Sequence, residues 1–203
     1  MRFKFFSILL LSSMVLFGCS SIQTADTPVQ WQQHKQNLEQ IKSYTLSGQL
    51  GYITPIERRS LNLQITKKDG ISELRLSTFL GQTVMKMTIT PQISQLDSYD
   101  GLHYEAKNPN VLIEQLTGLD IPIRELENWL IGLPNPTDEF TFNENHTLST
   151  ITNQAQKPVW DVEYRVYQNV EYQGGMVPLP YKLTLTHAKT KLHLVLSKWK
   201  IES

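Results

Sequence analysis

The sequence predicts a mainly β protein: an antiparallel sheet of about eleven strands, curled around one apolar face and partly covered by helices. Three observations predict it. Apolar residues alternate with polar ones over short segments from Tyr44 to the C-terminal end, the period of half-buried strands. Turn signals such as Asp100-Gly101 and Gly174-Gly175 separate these segments. Only three stretches, one before Tyr44 and two after Asn108, change to the helical period. A sheet of so many strands with one apolar face avoids open edges by curling, as barrels do.

Ahead of the fold, Arg2 and Lys4 precede an apolar run over residues 5–17, the layout of a secretory signal peptide. The run is shorter than the roughly 20 residues of a comfortable membrane span. Leu16-Phe17-Gly18-Cys19 resembles the bacterial lipobox, in which a small residue precedes a cysteine that is lipidated and becomes the new N-terminus; Phe17 is bulkier than that pattern prefers. Cys19 is the single cysteine of 203 residues, so no intramolecular disulfide forms. Ser20, where an aspartate would favour retention in the inner membrane, resembles lipoproteins sorted outward. The expected division is a signal peptide over 1–18, a lipidated N-terminus and linker over 19–29, and one domain over 30–203. The linker is small and polar, and ten extended residues reach about 33–36 Å. Basic and acidic residues balance at 19 each, and loss of Arg2 and Lys4 leaves the rest slightly acidic. Such a chain has no electrostatic footprint for nucleic acid.

Within the domain, Thr27-Pro28-Val29-Gln30 has the pattern of a capping box. Trp31, His34, Leu38 and Ile41 then recur at three and four residues, which predicts an amphipathic helix of about 14 residues with His34 at the edge of the core. Strands follow around Tyr44–52, around Leu61, Leu63 and Ile65, and at Leu74 and Leu76. Met85, Met87 and Ile89 mark the next, then segments 93–99 and 102–106. Asn108-Pro109 starts a short helix that Gly118 stops, and Pro122 starts another that Gly132 closes. This second helix aligns Ile123, Leu126, Trp129 and Leu130. Two helices set inside a strand-rich chain predict a cover over the sheet. Strands resume at 139–143 and 147–153. Trp160, Val162, Tyr164 and Val166 then share a face opposite Asp161, Glu163 and Arg165, before segments containing Tyr181, Leu183, Leu185 and Leu192, Leu194, Leu196.

Catalytic patterns are missing: the sequence has no G-x-S-x-G elbow, no Gly-rich phosphate loop and no H-E-x-x-H. His103, His146, His187 and His193 are scattered without zinc spacing. The reading is therefore no enzyme and no cofactor. What stands out is apolar investment. Alternation makes Tyr44, Leu46, Leu63, Leu76, Met87, Val162 and Leu194 candidates for the interior, with Leu126 and Leu130 above them in the lid. The pattern admits both a dry core and a cavity for an apolar ligand, and periodicity alone favours the filled core. One turn is unusual: Phe79-Leu80-Gly81 places two large apolar residues where a hairpin meets water.

Several stretches together resemble the outer-membrane lipoprotein receptor family LolB: WQQHKQNLEQIKSYTLSGQLGY, the turn FLGQTV, QLTGLDIPIRELENWLIGLP, WDVEYRVY and the terminal SKWKI. The resemblance implies an incomplete, strongly curved antiparallel barrel with a helical lid over an apolar cavity and an N-terminal helix, the LolA/LolB-like fold. It also implies a function. Such proteins receive lipoproteins from the periplasmic carrier LolA, shelter their acyl chains and insert them in the outer membrane. On this reading the protein is a monomer on the periplasmic face of the outer membrane, anchored through Cys19, whose partners are the carrier, the cargo acyl chains and the membrane. Leu80 matches the leucine that protrudes before glycine and is used in delivery, with Phe79 deepening the contact. Trp129 and Trp160 match tryptophans of the family pattern and are expected in the cavity or lid. The other reading, from the residues alone, is a structural or small-ligand-binding envelope lipoprotein with a barrel fold.

Overall fold

The computed structural model describes residues 22–119, 121–154 and 159–202; the signal segment and Cys19 lie outside them. The chain runs α1 (Trp31–Gln40), β1 (Ser43–Ile53), β2 (Arg58–Lys68), β3 (Ile71–Ser77), β4 (Thr83–Ile89), β5 (Ser94–Ser98) and β6 (His103–Ala106). Next come α2 (Pro109–Thr117), α3 (Ile123–Ile131), β7 (Asp138–Phe142), β8 (Leu148–Asn153), β9 (Trp160–Tyr172), β10 (Gly175–His187) and β11 (Thr190–Glu202). The strands form one 11-stranded sheet in the order β6-β5-β4-β3-β2-β1-β11-β10-β9-β8-β7. Every pair is antiparallel.

This order explains the lid. The first and last strands pair at the centre, which leaves β6 and β7 as the two edges, unpaired with each other. The segment between them must cross from one edge to the other, and it carries α2 and α3 over the concave face as it does so. Strand count and helical insert thus match the sequence reading, and the barrel is open. The end at which β1, β3, β5, β8 and β10 finish is the upper end; β2, β4, β7 and β9 finish at the lower end.

Curvature is built by irregular pairing. The β1–β11 register slips between Ser47 and Gln49, where Gly48 allows the Val195 carbonyl to approach. In β9 and β10 the pairing passes from Tyr164↔Leu183 through Val166↔Lys182 to Tyr167↔Pro180, so each strand carries one extra residue there. Such bulges bend a strand and turn its following side chains to the other face. Tyr167 is therefore buried in the core with Tyr164, whereas Val166 and Tyr181, expected to face inward, sit half-buried at the irregularity.

The first helix differs from expectation. It begins at Trp31, spans 10 residues, and its N-cap Gln30 makes no side-chain cap bond. The Thr27 capping box does not form, because the preceding backbone is committed elsewhere. Thr24 pairs antiparallel with Gln168; the Ala25 amide donates to Tyr167 O at 3.1 Å and the Asn169 amide to Gln23 O at 2.9 Å. The Val29 amide donates to Asn145 O at 3.0 Å, and Asn145 Nδ2 donates to Ala25 O at 3.3 Å. Residues 22–29, expected to be part of the linker, are thus a strap along the part of β9 beyond the start of β8. Downstream, α1 buries His34 and Leu38 against the lower end, where Tyr172 donates to Gln40 O at 3.2 Å. Burial lowers the His34 pKa to about 4, so the ring stays neutral at physiological pH. Trp31 lies 5.0 Å from the Phe142 ring and 6.1 Å from Phe140, covering edge strand β7.

The two lid helices follow their signals closely. Asn108 Oδ1 accepts from the Asn110 amide at 3.1 Å, Pro109 opens α2, and Gly118 ends it. Pro122 precedes α3 and Gly132 ends it.

Candidate functional site: a lidded interior and an exposed apolar turn

Beneath the lid the apolar side chains form two lobes. The larger gathers Leu63, Trp129, Leu130, Trp160, Val162 and Leu194, all buried. The smaller holds Met85, Met87, Ile89 and Leu96 of β4 and β5 under Leu112, Ile113 and Ile123 of the lid. Leu76 and Leu126 are half-buried and pack against both. With Tyr44 and Leu46, also buried in the larger lobe, all eleven interior and lid candidates from the sequence are thus brought together, in two neighbouring groups rather than one.

The two lobes are held differently. Over the larger one, α3 is bolted by polar contacts. Trp129 Nε1 donates to Asp138 Oδ2 at 2.7 Å, and the same oxygen accepts from the Asn135 amide at 2.8 Å. Tyr164 donates its hydroxyl to Trp129 O at 2.8 Å. Burial, with the nearby Tyr167 and Asp138, pushes the Tyr164 phenol well above its ordinary pKa, so it remains a donor. Lys67 Nζ and Glu127 Oε2 pair at 2.7 Å, tying α3 to β2 in a half-buried bridge. Sequence reasoning missed this latch, since its partners lie on different elements and no local pattern marks them.

Over the smaller lobe α2 has no such bolts. Its side-chain hydrogen bonds stay within the lid: Asn108 to Asn110, Asn110 Oδ1 to the Ile123 amide at 3.0 Å, and Thr117 to Ile113 O at 2.7 Å. Among the described residues, apolar contact alone seats α2 over β5 and β6 in the lobe that also holds the β4 methionines. The floor of that lobe includes two methionines, which adapt to a changing shape, and Ser94 Oγ, buried without a hydrogen-bond partner. Buried apolar side chains pack the interior beneath the lid. A groove of about 500 Å³ between α1, α3 and β7 is lined by Lys35, Lys42, Lys67, Trp31 and Phe140, and of the interior candidates Tyr44 borders it.

Phe79 and Leu80 form the apex of the β3–β4 turn at the upper end and are 90% and 83% exposed. The turn closes on itself: the Thr78 amide donates to Gln82 O at 2.8 Å, and Thr78 Oγ1 accepts from the Gln82 amide at 3.2 Å. Gly81, at φ 84°, provides the left-handed residue. The two side chains do not fold back over the barrel. Among the described residues, no group of His, Cys, Asp and Glu could hold a metal ion, and no helix is long and apolar enough to cross a membrane.

An open antiparallel sheet curled under a two-helix crossover is a fold that solved structures share. A LolA superfamily protein from Nitrosomonas europaea superposes with a TM-score of 0.51 over 87% of this chain and 95% of its own, at 9% identity. A DUF1329 family protein from Desulfovibrio piger gives 0.52 over 84% and 89%, at 6% identity. Sequence narrows the fold to a family. The family model described as outer membrane lipoprotein LolB matches residues 42–199. The outer-membrane lipoprotein LolB of Vibrio campbellii is 43% identical over 99% of both chains, and that of Vibrio cholerae 44% over 94% of this chain and 93% of its own. The LolB of Pectobacterium carotovorum is 32% identical over 96% and 95%. This chain belongs to the LolB family of outer-membrane lipoproteins.

Proposed function

We propose that this protein is the outer-membrane receptor that takes lipidated proteins from a LolA-like periplasmic carrier, shelters their acyl chains beneath the lid and releases them into the outer membrane. The observation that carries this reading is the two-sided lid: α3 bolted over one lobe by Trp129, Asp138 and Tyr164, and α2 resting on a methionine-rich lobe by apolar contact alone. Burying an acyl chain is worth about 0.8 kcal/mol per methylene. An acyl chain that replaces α2 on Met85, Met87 and Leu96 exchanges one dry contact for another, so the lobe opens at little net cost. No nucleotide is needed when carrier, receptor and bilayer each keep the chains dry; small affinity differences set the direction.

Leu80 and Phe79 serve delivery on this reading. Fully burying one leucine is worth roughly 1.5–3 kcal/mol, too little to anchor the protein but enough to bias where cargo leaves. Cys19 carries the anchor and takes no part in the transfer chemistry. The packed interior equally suits a structural lipoprotein with a dry core, and one experiment separates the two. The Cys19→Ala chain, incubated with carrier loaded with acylated cargo, is expected to take that cargo into a soluble complex recovered by gel filtration. Cargo that stays with the carrier at every ratio tested would contradict the receptor reading and leave the dry-core protein.

A further inference from the structure

The β3–β4 turn is not alone at the upper end. The β1–β2 turn, residues 54–57, and the β5–β6 turn, residues 99–102, stand on either side of it, because β1 to β6 are consecutive neighbours in the sheet. Successive tips are two strands apart, about 10 Å. The first carries Ile56, 95% exposed, and the third Tyr99, 79% exposed, with Leu102 also exposed. The lower end is different. Its turns present Asp69-Gly70, Pro91-Gln92, Glu144-Asn145-His146 and Gln173-Gly174 at their tips, the exposed apolar residues there, Ile71 and Met176, standing one and two residues into the following strands. Exposed apolar tips on three adjacent hairpins at one end, and polar tips at the other, are not scatter of the kind common on protein surfaces.

We propose that these three turns form one bilayer-contacting rim, in which Ile56 and Tyr99 enter the lipid surface beside Phe79 and Leu80. The proposal rests on the delivery role of Leu80 and extends it to residues outside that turn. Three features favour lipid as the occupant. First, a backbone hydrogen bond closes the base of each tip: Thr54 N donates to Glu57 O at 2.8 Å, Thr78 N to Gln82 O at 2.8 Å, and Ser98 N to Leu102 O at 3.0 Å. A segment entering an apolar layer needs that closure, since no water remains there to pair its amides. Second, Arg58 beside Ile56, and Lys189 and Lys191 on the neighbouring β10–β11 hairpin, supply cations that suit phosphate headgroups, although Arg59 is paired with Glu57 and the acids Asp97, Asp100, Glu139 and Asp161 share this end. Tyrosine is suited to the interface itself, which leaves Asp100 in the headgroup layer. Third, a chain anchored by lipid at Cys19 never leaves the bilayer's neighbourhood.

Cys19 is the single cysteine, so the Cys19→Ala chain is a cysteine-free background. Single cysteines placed at Ile56, Leu80 and Tyr99, and at Gln92 and Gln173 on the lower end, accept a polarity-sensitive fluorophore. Vesicles of phosphatidylethanolamine and phosphatidylglycerol with brominated acyl chains are then added. Blue-shifted, quenched emission is expected at the three rim positions and unchanged emission at 92 and 173. Ile56→Asp combined with Tyr99→Asp is expected to lower vesicle partitioning by roughly tenfold, or about 1.4 kcal/mol, without lowering the thermal midpoint. A response at Leu80 alone would overturn the rim and keep the single-turn delivery site. Silence at all three positions would overturn both. A response to added carrier but not to vesicles would make this end a protein-docking surface and overturn the lipid assignment.

Discussion

At Gly48 an added β-carbon would lie 2.1 Å from the Val195 carbonyl oxygen and 3.1 Å from Leu196 Cα. Both are backbone atoms of β11, so neither moves without breaking the central β1–β11 pair. At Gly51, in the same strand, the corresponding contacts are with His193 Cβ at 3.5 Å and its carbonyl oxygen at 3.7 Å, ordinary van der Waals distances. Gly48→Ala is therefore expected to destabilise the fold by several times the roughly 1 kcal/mol typical of point mutations, while Gly51→Ala is nearly neutral. Urea midpoints of the two variants check this, and equal midpoints would contradict the close approach. A small residue thus sets the curvature on which the interior depends. Both glycines lie in one strand pattern of the sequence, and only the structure separates the position that requires glycine from the one that tolerates more.

Elements with local signals were legible in the sequence. The lid helices sit between Asn108-Pro109 and Gly118, and between Pro122 and Gly132, because caps, proline and glycine act over one turn. Strands alternated visibly because one face is dry. The N-terminal strap was not legible: residues 22–29 are short, polar and rich in turn formers, and their order comes from β9 and the 143–147 turn more than a hundred residues away. For the same reason the Thr27 capping box fails, tertiary pairing having taken the Val29 amide. The strap has a consequence for the anchor. It runs antiparallel to β9, with Gln23 beside Asn169 and Ala25 beside Tyr167, so its first residues lie on the lower-end side, away from the Leu80 turn. Three residues, 19–21, reach at most about 11 Å; released, the segment to Gln30 reaches about three times as far. A disulfide between Thr24→Cys and Gln168→Cys suits this pair, whose Cα atoms should lie about 4.5–5.5 Å apart. In the anchored protein the oxidised strap is expected to leave cargo loading intact and to suppress delivery into the membrane that holds the anchor. Reduction should restore delivery. Delivery unchanged by oxidation would show that the strap stays docked throughout.

On the scale of the molecule, the sheet separates two jobs. Its concave face and lid form the dry interior, its upper end carries exposed apolar turns, and its lower end carries α1, the strap and polar turns. On the proposed function, loading depends on the interior and on α2, delivery on the apex of the β3–β4 turn, and the two should fail independently. The residues assigned to each were legible for different reasons. The interior candidates followed from alternation, whereas Leu80 was singled out as an apolar pair in a turn and by its resemblance to the family pattern. Ile56 and Tyr99 passed unnoticed, because a lone apolar residue in a turn carries no signal until topology places its neighbours. The most direct measurement of this division compares Leu80→Glu with the parent in three readings: thermal midpoint, uptake of acylated cargo from a loaded carrier, and transfer of that cargo to phospholipid vesicles. A charge at the apex resists entry into the apolar layer but disturbs no packing at an exposed turn. The account expects an unchanged midpoint, uptake equal to the parent and transfer reduced severalfold; transfer equal to the parent, or uptake lost together with transfer in a folded variant, would contradict it.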